Sequence, residues 1–233
     1  QKRVSGCQFS GAIFTNLTQD HLDYHSTMES YFEVKSTLFS YPFLEESSCK
    51  RVINVDDAWG KSLAKRFNNK CWRCSFLDKG INSDEVELTI QVIDREPSGV
   101  RALITTPVGE GTFISPLIGR FNMMNILQSI GILIQHDLPL NDLLEAIKDF
   151  PGVPGRMEIV KPLGSLKSSQ LPIVIVDYAH TPDGLEQALI AARDFSTGKI
   201  ICVFGCGGDR DRGKRSLMGC IASKYADRII LTS

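Results

Sequence analysis

Two stretches of this sequence hold residue types that can do chemistry. The first, "FTNLTQDHLDYHSTMESYFEVK" (14–35), carries His21, Asp23, His25 and Lys35. Imidazoles and carboxylates ligate divalent metals, and a neutral lysine amine is a nucleophile. The second, "FGCGGDRDRGKR" (204–215), contains Gly208-x-x-x-x-Gly213-Lys214, nearly a phosphate-binding loop. A Walker A loop places Ser or Thr directly after its lysine to hold Mg²⁺, and here that position is Arg215. Asp209 and Asp211 would also repel a triphosphate. What remains is either a solvated charged turn or a recognition loop. Alternating Asp and Arg presents both charge signs to a zwitterion such as a free amino acid, Arg gripping its carboxylate and Asp its ammonium. Composition does not choose between the two.

The first cluster has an equally plain alternative: a polar loop followed by a lysine on an exposed helix face. Spacing adds to this. On one straight helix His21 and Lys35 would lie about 21 Å apart, too far to share a ligand. Ser26 and Glu29 have capping-box spacing, however, so a helix is expected from about Thr27 to residue 39, leaving the preceding loop to bring His21 toward Lys35. A metal-dependent hydrolase built on the cluster would need more histidines, and only His136 and His180 remain in the chain.

The elements that must position these residues follow from periodicity. Residues 11–17 and 51–57 read as apolar strands and 58–67 as a helix. From 84 to 118 alternating runs separated by glycine-containing turns predict antiparallel strands. Helices are expected over 122–136 and 140–150, with Asn122 suited to a helix-start cap. "PGVPGR" (151–156) marks the best domain boundary in the chain. Beyond it, strand (173–179), helix (181–195, Pro182 at its start), strand (199–205), helix (215–226) and strand (228–233) predict a parallel sheet.

Composition narrows the function classes. The 233 residues are 42% hydrophobic and 23% charged, enough for one large or two modest domains with ordinary cores. A net charge of −1 gives no global electrostatic case for nucleic acid or an anionic membrane. Seven cysteines at irregular spacing read as free thiols of a reducing cytoplasm, and Cys71-x-x-Cys74 lacks the second pair that a zinc ribbon needs. The chain opens on Gln1 and stops at "RIILTS", which reads as a piece of a longer protein.

Five motifs in order carry a resemblance: "FTNLTQDHLDYHSTMESYFEVK", "GRFNMMN", "GVPGRME", "VDYAHTPDGLEQAL" and "FGCGGDRDRGKR". Together they resemble the Mur ligases of peptidoglycan synthesis, over essentially the whole chain. Folylpolyglutamate synthases share parts of this plan and match less well.

The resemblance implies an α/β fold. Residues 1–154 would form a partial central ATPase domain, a mixed sheet with helices that lacks its phosphate loop. Residues 155–233 would form the first half of a Rossmann-like C-terminal domain. It also implies a cytoplasmic, monomeric, ATP- and Mg²⁺-dependent amide ligase. This ligase joins meso-diaminopimelate, or in sister enzymes L-lysine, to UDP-N-acetylmuramoyl-L-alanyl-D-glutamate through an acyl phosphate. It implies no membrane span and no nucleic-acid partner.

By the same resemblance Lys35 matches a lysine carbamylated by CO₂, and His21 a histidine at the same metal site. Asn125 matches an adenine contact. Arg156, Asp177 and His180 match ATP contacts, so that domain closure would complete the site. Gln1 and Arg3 match contacts to the UDP-muramoyl peptide, and Arg210 a contact to the incoming amino acid.

Overall fold

A computed structural model describes residues 4–18, 22–45, 50–79, 85–96, 99–160, 171–206 and 213–232. The chain divides into two compact units, Gln1–Ser115 with Asn122–Asp149, and Pro116–Phe121 with Phe150–Ser233.

The first unit is built on a six-stranded mixed sheet in sequential order: β1 (Ala12–Phe14), β2 (Arg51–Asn54), β3 (Trp72–Phe76), β4 (Leu88–Glu96), β5 (Gly99–Thr106) and β6 (Gly109–Ser115). Strands β1 to β4 pair in parallel, and β4, β5 and β6 form an antiparallel meander. Period-two alternation splits β2 between two layers. Ile53 joins a buried cluster with Phe14, Phe32, Phe39 and Leu63. On the opposite face lies α4 (Arg120–Ile134), where a Cβ on Gly131 would collide with Leu88 and press on Val52. The first layer contains α2 (Met28–Ser36) and α3 (Ala58–Phe67). Arg66 of α3 grips Glu33 of α2 with both guanidinium arms, at 2.9 and 2.5 Å, and lies over the Phe32 ring. That hydrogen-bonded pairing holds the Glu33 carboxyl below its usual range. Helix α5 (Leu140–Lys148) packs Leu144 against Gly111 of β6.

The centre of this unit holds a guanidinium. Arg51 is 1% exposed and donates to the carbonyls of Phe39, Lys70 and Glu45. A buried charge is tolerable when its donors are satisfied in this way.

Several elements differ from expectation. Strand β1 ends at Phe14 because the next residues turn away from β2. A short helix, α1 (Leu22–His25), precedes α2, and Ser26 between them has φ 62°. The cap of α2 is therefore Thr27, whose hydroxyl accepts from Ser30 N at 3.1 Å, one residue later than the Ser26–Glu29 pattern implied. Residues 37–39 form a separate 3₁₀ turn. Asn122 is not a cap: α4 starts at Arg120, and Asn122 is buried within it. Strand β3 was not anticipated, since its run "WRCSF" shows no clean alternation.

The second unit contains β7 (Glu158–Ile159), β8 (Ile175–Val176), α6 (Pro182–Phe195), β9 (Ile201–Gly205), α7 (Gly213–Tyr225) and β10 (Arg228–Thr232). Thr181 caps α6, accepting from Gly184 N. Helix α6 contributes to two cores. Leu185 and Leu189 pack with Ile200, Cys202, Met218 and Ala222, while Ala191 packs with Ile118 and Met157. Among the described residues the expected three-stranded parallel sheet is not seen. Strands β9 and β10 pair in parallel, but β8 pairs antiparallel with β7. An apolar run reports that a strand seeks cover, not which neighbour it takes. Here Glu158–Ile159, unrecognised in the sequence, pairs with one edge of β8. Among the described residues no helix is long and apolar enough to cross a membrane.

Two predictions test this architecture. Gly60, in the first turn of α3, has no room for a side chain, because a Cβ there would overlap the carbonyl of Asn54. Gly60→Ala should destabilise the first unit by about 3 kcal/mol despite the better helix propensity of alanine, read as a lowered denaturation midpoint. Cys71 and Cys74 are core residues, and burial pushes the Cys71 thiol up to about 11 and the Cys74 thiol higher still. Labelling native protein with a thiol reagent at about pH 8 should modify the exposed Cys7 and Cys220 and spare Cys71 and Cys74 until unfolding, as mapped by mass spectrometry. Rapid native labelling of the pair would show the core assignment to be wrong.

Candidate active site

In the first unit the chemistry gathers where β1 leaves the sheet. Parallel strands expose their carboxyl ends to ligands, because the chain turns away there. Lys35 reaches this edge from the last turn of α2. It is half-buried, with Nζ 3.4 Å from the carbonyl oxygen of Asn16 and 5.0 Å from the centroid of the Tyr31 ring, one helical turn back. Tyr31 in turn stacks on His25 at 4.7 Å between centroids, nearly parallel. His25 is thereby packed as part of an aromatic stack. The helix break at Ser26 removes the straight-helix geometry that would have held His21 and Lys35 apart. His21 itself lies outside the described residues, as do Gln1, Arg3 and Arg210. Among the described residues no three His, Cys, Asp or Glu groups converge on one metal-sized space.

Other polar groups on the same edge carried no warning in their sequence spacing. Asn54, the last residue of β2, donates from Nδ2 to the carbonyl of Thr15 at 2.9 Å, and its Oδ1 accepts from Asp56 N at 3.0 Å. Asp56 receives the buried Ser75 hydroxyl at 2.5 Å. Gln128 of α4 donates from Nε2 to the carbonyl of Phe14 at 3.2 Å. The one signal available was "RVINVDD", an apolar strand ending in amide and carboxylate side chains. Asn125 sits on α4 with its side chain exposed.

In the second unit Arg156, Asp177 and His180 form one cluster through Tyr178. The Arg156 guanidinium lies 4.3 Å over the Tyr178 ring, and the His180 ring meets the same tyrosine edge-on at 5.2 Å. The Tyr178 carbonyl, 3.0 Å from His180 Nδ1, can only accept, so in this contact Nδ1 is the donor. Asp177 spends one oxygen on Met157 N at 2.9 Å and the other on Ala179 N at 2.8 Å. Met157 has φ 47°, a left-handed conformation costly for a side chain of its kind. The Asp177 bond and the burial of the Met157 side chain hold it there. Asp177 thus sets the turn that presents Arg156. The Asp-Arg loop, 207–212, falls between the end of β9 and the start of α7 in chain order, outside the described residues.

Comparison with known proteins places both units. The Mur ligase middle domain matches residues 1–133, and the Mur ligase glutamate ligase domain matches residues 155–233. A UDP-N-acetylmuramoyl-L-alanyl-D-glutamate–2,6-diaminopimelate ligase of Prochlorococcus marinus (strain NATL1A) is 55% identical over all 233 residues, which cover 46% of that protein. A solved structure of a ligase of the same name is 33% identical, with a TM-score of 0.66 over 99% of this chain and 45% of its own. MurF from Acinetobacter baumannii, at 16% identity and a TM-score of 0.74 over 96% of this chain and 47% of its own, shares the fold. The chain spans about half the length of the curated relatives it matches. With the middle-domain match alone covering more than half its residues, this chain belongs to the Mur ligase family.

Proposed function

We propose that this chain is part of an ATP-dependent ligase that joins meso-diaminopimelate to UDP-N-acetylmuramoyl-L-alanyl-D-glutamate. The observation that carries this reading is 55% identity, without a break in coverage, to relatives named for that reaction. A carboxylate is a poor electrophile. The γ-phosphoryl group of ATP passes to a carboxylate oxygen, giving ADP and an acyl phosphate. The free amine of the incoming amino acid then attacks the acyl carbon, phosphate leaves with the C–O bonding pair, and the amine nitrogen loses a proton. Phosphoryl transfer of this kind needs positioning and charge neutralisation above all.

In this reading Lys35, as a carbamate, and His21 hold magnesium. The Lys35 amine beside Asn16 O fits the role on its donor chemistry. A carbamate there adds two oxygens that share one negative charge, the donor type that a hard divalent cation takes. Magnesium, when bound, offsets the charge of the transferring phosphoryl group. Asn125 contacts adenine. Arg156 and His180 contact the nucleotide, with Asp177 orienting Arg156 through the Met157 turn. Gln1 and Arg3 contact the UDP-muramoyl peptide, and Arg210 takes a carboxylate of diaminopimelate. ATP and UDP-sugars are cytoplasmic metabolites, which supports a cytoplasmic enzyme. A monomer is part of the same reading.

Lys35→Ala in the full-length protein should lower turnover by about 3 kcal/mol or more in activation free energy, as for other preorganised electrostatic groups. A small added carboxylic acid should restore part of it. Unchanged turnover would remove Lys35 from the reaction. For Arg210→Ala the expected loss is about 2–5 kcal/mol in diaminopimelate binding, with ATP affected far less. Michaelis constants measured separately for the two substrates decide it. A rise confined to ATP would make the Asp-Arg loop a phosphate site.

A further inference from the structure

Three consecutive carbonyls at the exit of β1 each receive a hydrogen bond from a side chain on a different element. Gln128 of α4 donates to Phe14 O at 3.2 Å, Asn54 of β2 to Thr15 O at 2.9 Å, and Lys35 of α2 to Asn16 O at 3.4 Å. The β1–β2 ladder ends with Phe14 opposite Ile53, so these carbonyls lie where the regular pairing stops. Two of the donors are buried, Gln128 at 1% exposure and Asn54 at 8%. The orientation of Asn54 is forced, because its Oδ1 accepts from Asp56 N and only Nδ2 is left to face a carbonyl. Among the described residues Gln128 Oε1 has no partner, so its amide is tied by the nitrogen end alone. Just beyond, Leu17 is buried in the core and anchors the far side of the loop.

We infer that Gln128 and Asn54 are positioning residues for Lys35. They clamp the backbone at residues 14 and 15, so that the carbonyl of Asn16 is held where it accepts an N–H from the lysine. This rests on the reading of Lys35 given under Proposed function. The Lys35 ammonium first releases a proton to water. The neutral amine then donates its lone pair to the carbon of CO₂, one C=O π pair moves to oxygen, and a second N–H proton leaves to solvent. One N–H remains on the carbamate nitrogen, and Asn16 O can keep it. That bond sets the direction of the two carbamate oxygens. If the carbonyl drifts, the ammonium, whose Asn16 bond is exposed, can turn its three N–H groups to water, whereas the carbamate loses the one N–H bond that orients it, so the carbamate becomes less favourable relative to the ammonium.

The test uses the full-length protein and a readout independent of turnover. With ¹³C-bicarbonate, the carbamate signal of wild-type protein is titrated by NMR and compared with that of Gln128→Met, an apolar variant of similar length that also removes the lone Oε1. The expected result is a roughly fivefold higher bicarbonate concentration at half-occupancy, the scale of one ordinary hydrogen bond. Turnover should fall by a similar factor and recover at saturating bicarbonate, while the ATP Michaelis constant stays unchanged. A purely structural role would give no bicarbonate rescue. Asn54→Ser, too short to reach Thr15 O, should behave alike and decides the matter if Gln128→Met does not fold. Wild-type bicarbonate dependence in a folded variant overturns the inference, as does a wild-type protein that needs Lys35 yet shows no carbamate signal. Turnover that survives Lys35→Ala defeats the functional reading itself, so the two failures are distinguishable.

Discussion

When a strand leaves a parallel sheet, its last carbonyls lose the partners that the ladder supplied. An unmet buried carbonyl costs as much as a lost hydrogen bond. At the end of β1 Gln128 meets that obligation at the buried Phe14 carbonyl, while Asn54 and Lys35 take the next two carbonyls towards the surface, and much of the first unit is arranged so that these side chains arrive. Gln128 reaches Phe14 because α4 lies close on the sheet, with only a hydrogen at Gly131 above Leu88 and Val52. Asn54 keeps its place because the first turn of α3 sets a glycine, Gly60, against its carbonyl. Lys35 is aimed by a helix tied to α3 through Glu33 and Arg66. The lysine that the proposed chemistry needs is therefore a product of the packing of both layers, not of its own helix alone.

The second unit solves a related problem differently. Arg156 sits in a glycine-rich turn with little side-chain packing of its own to hold it. The strained backbone at Met157 fixes the turn, and Asp177 binds the strained residue from the next strand. Tyr178 then offers its ring to Arg156 and its carbonyl to His180. One short segment, 177–180, orders three polar groups with backbone bonds and one aromatic face.

Legibility in the sequence followed the range of the interaction. Helix α3 was readable to the residue and α6 nearly so, because their start signals are local: Asp57 and Thr181 accept N–H groups of the first turn, and Pro182 fixes its own φ. The cap of α2 was misread by one position, since Ser26 and Thr27 are both chemically fit and only the left-handed backbone at Ser26 decides. Lys35 was visible as part of a dense polar motif. Gln128 and Asn54 were not, because each answers a carbonyl far away in sequence, and nothing local marks the pairing. The partner of β8 was hidden for the same reason, as β7 is two residues long and exposed. The motifs carried the family, while the supporting bonds became visible only in three dimensions.

The order of strands in the first sheet also bears on how the unit assembles. Its meander, β4 to β6, joins strands that are neighbours in the chain and can form early, since little chain entropy is lost in pairing them. The parallel half cannot. Ala12 meets Arg51 only after α1 and α2 have been laid down between them, and Val52 meets Trp72 across α3. The edge that carries Lys35 thus belongs to the half with the greatest loop-closure cost. By that cost alone, closing the meander first is the cheaper order.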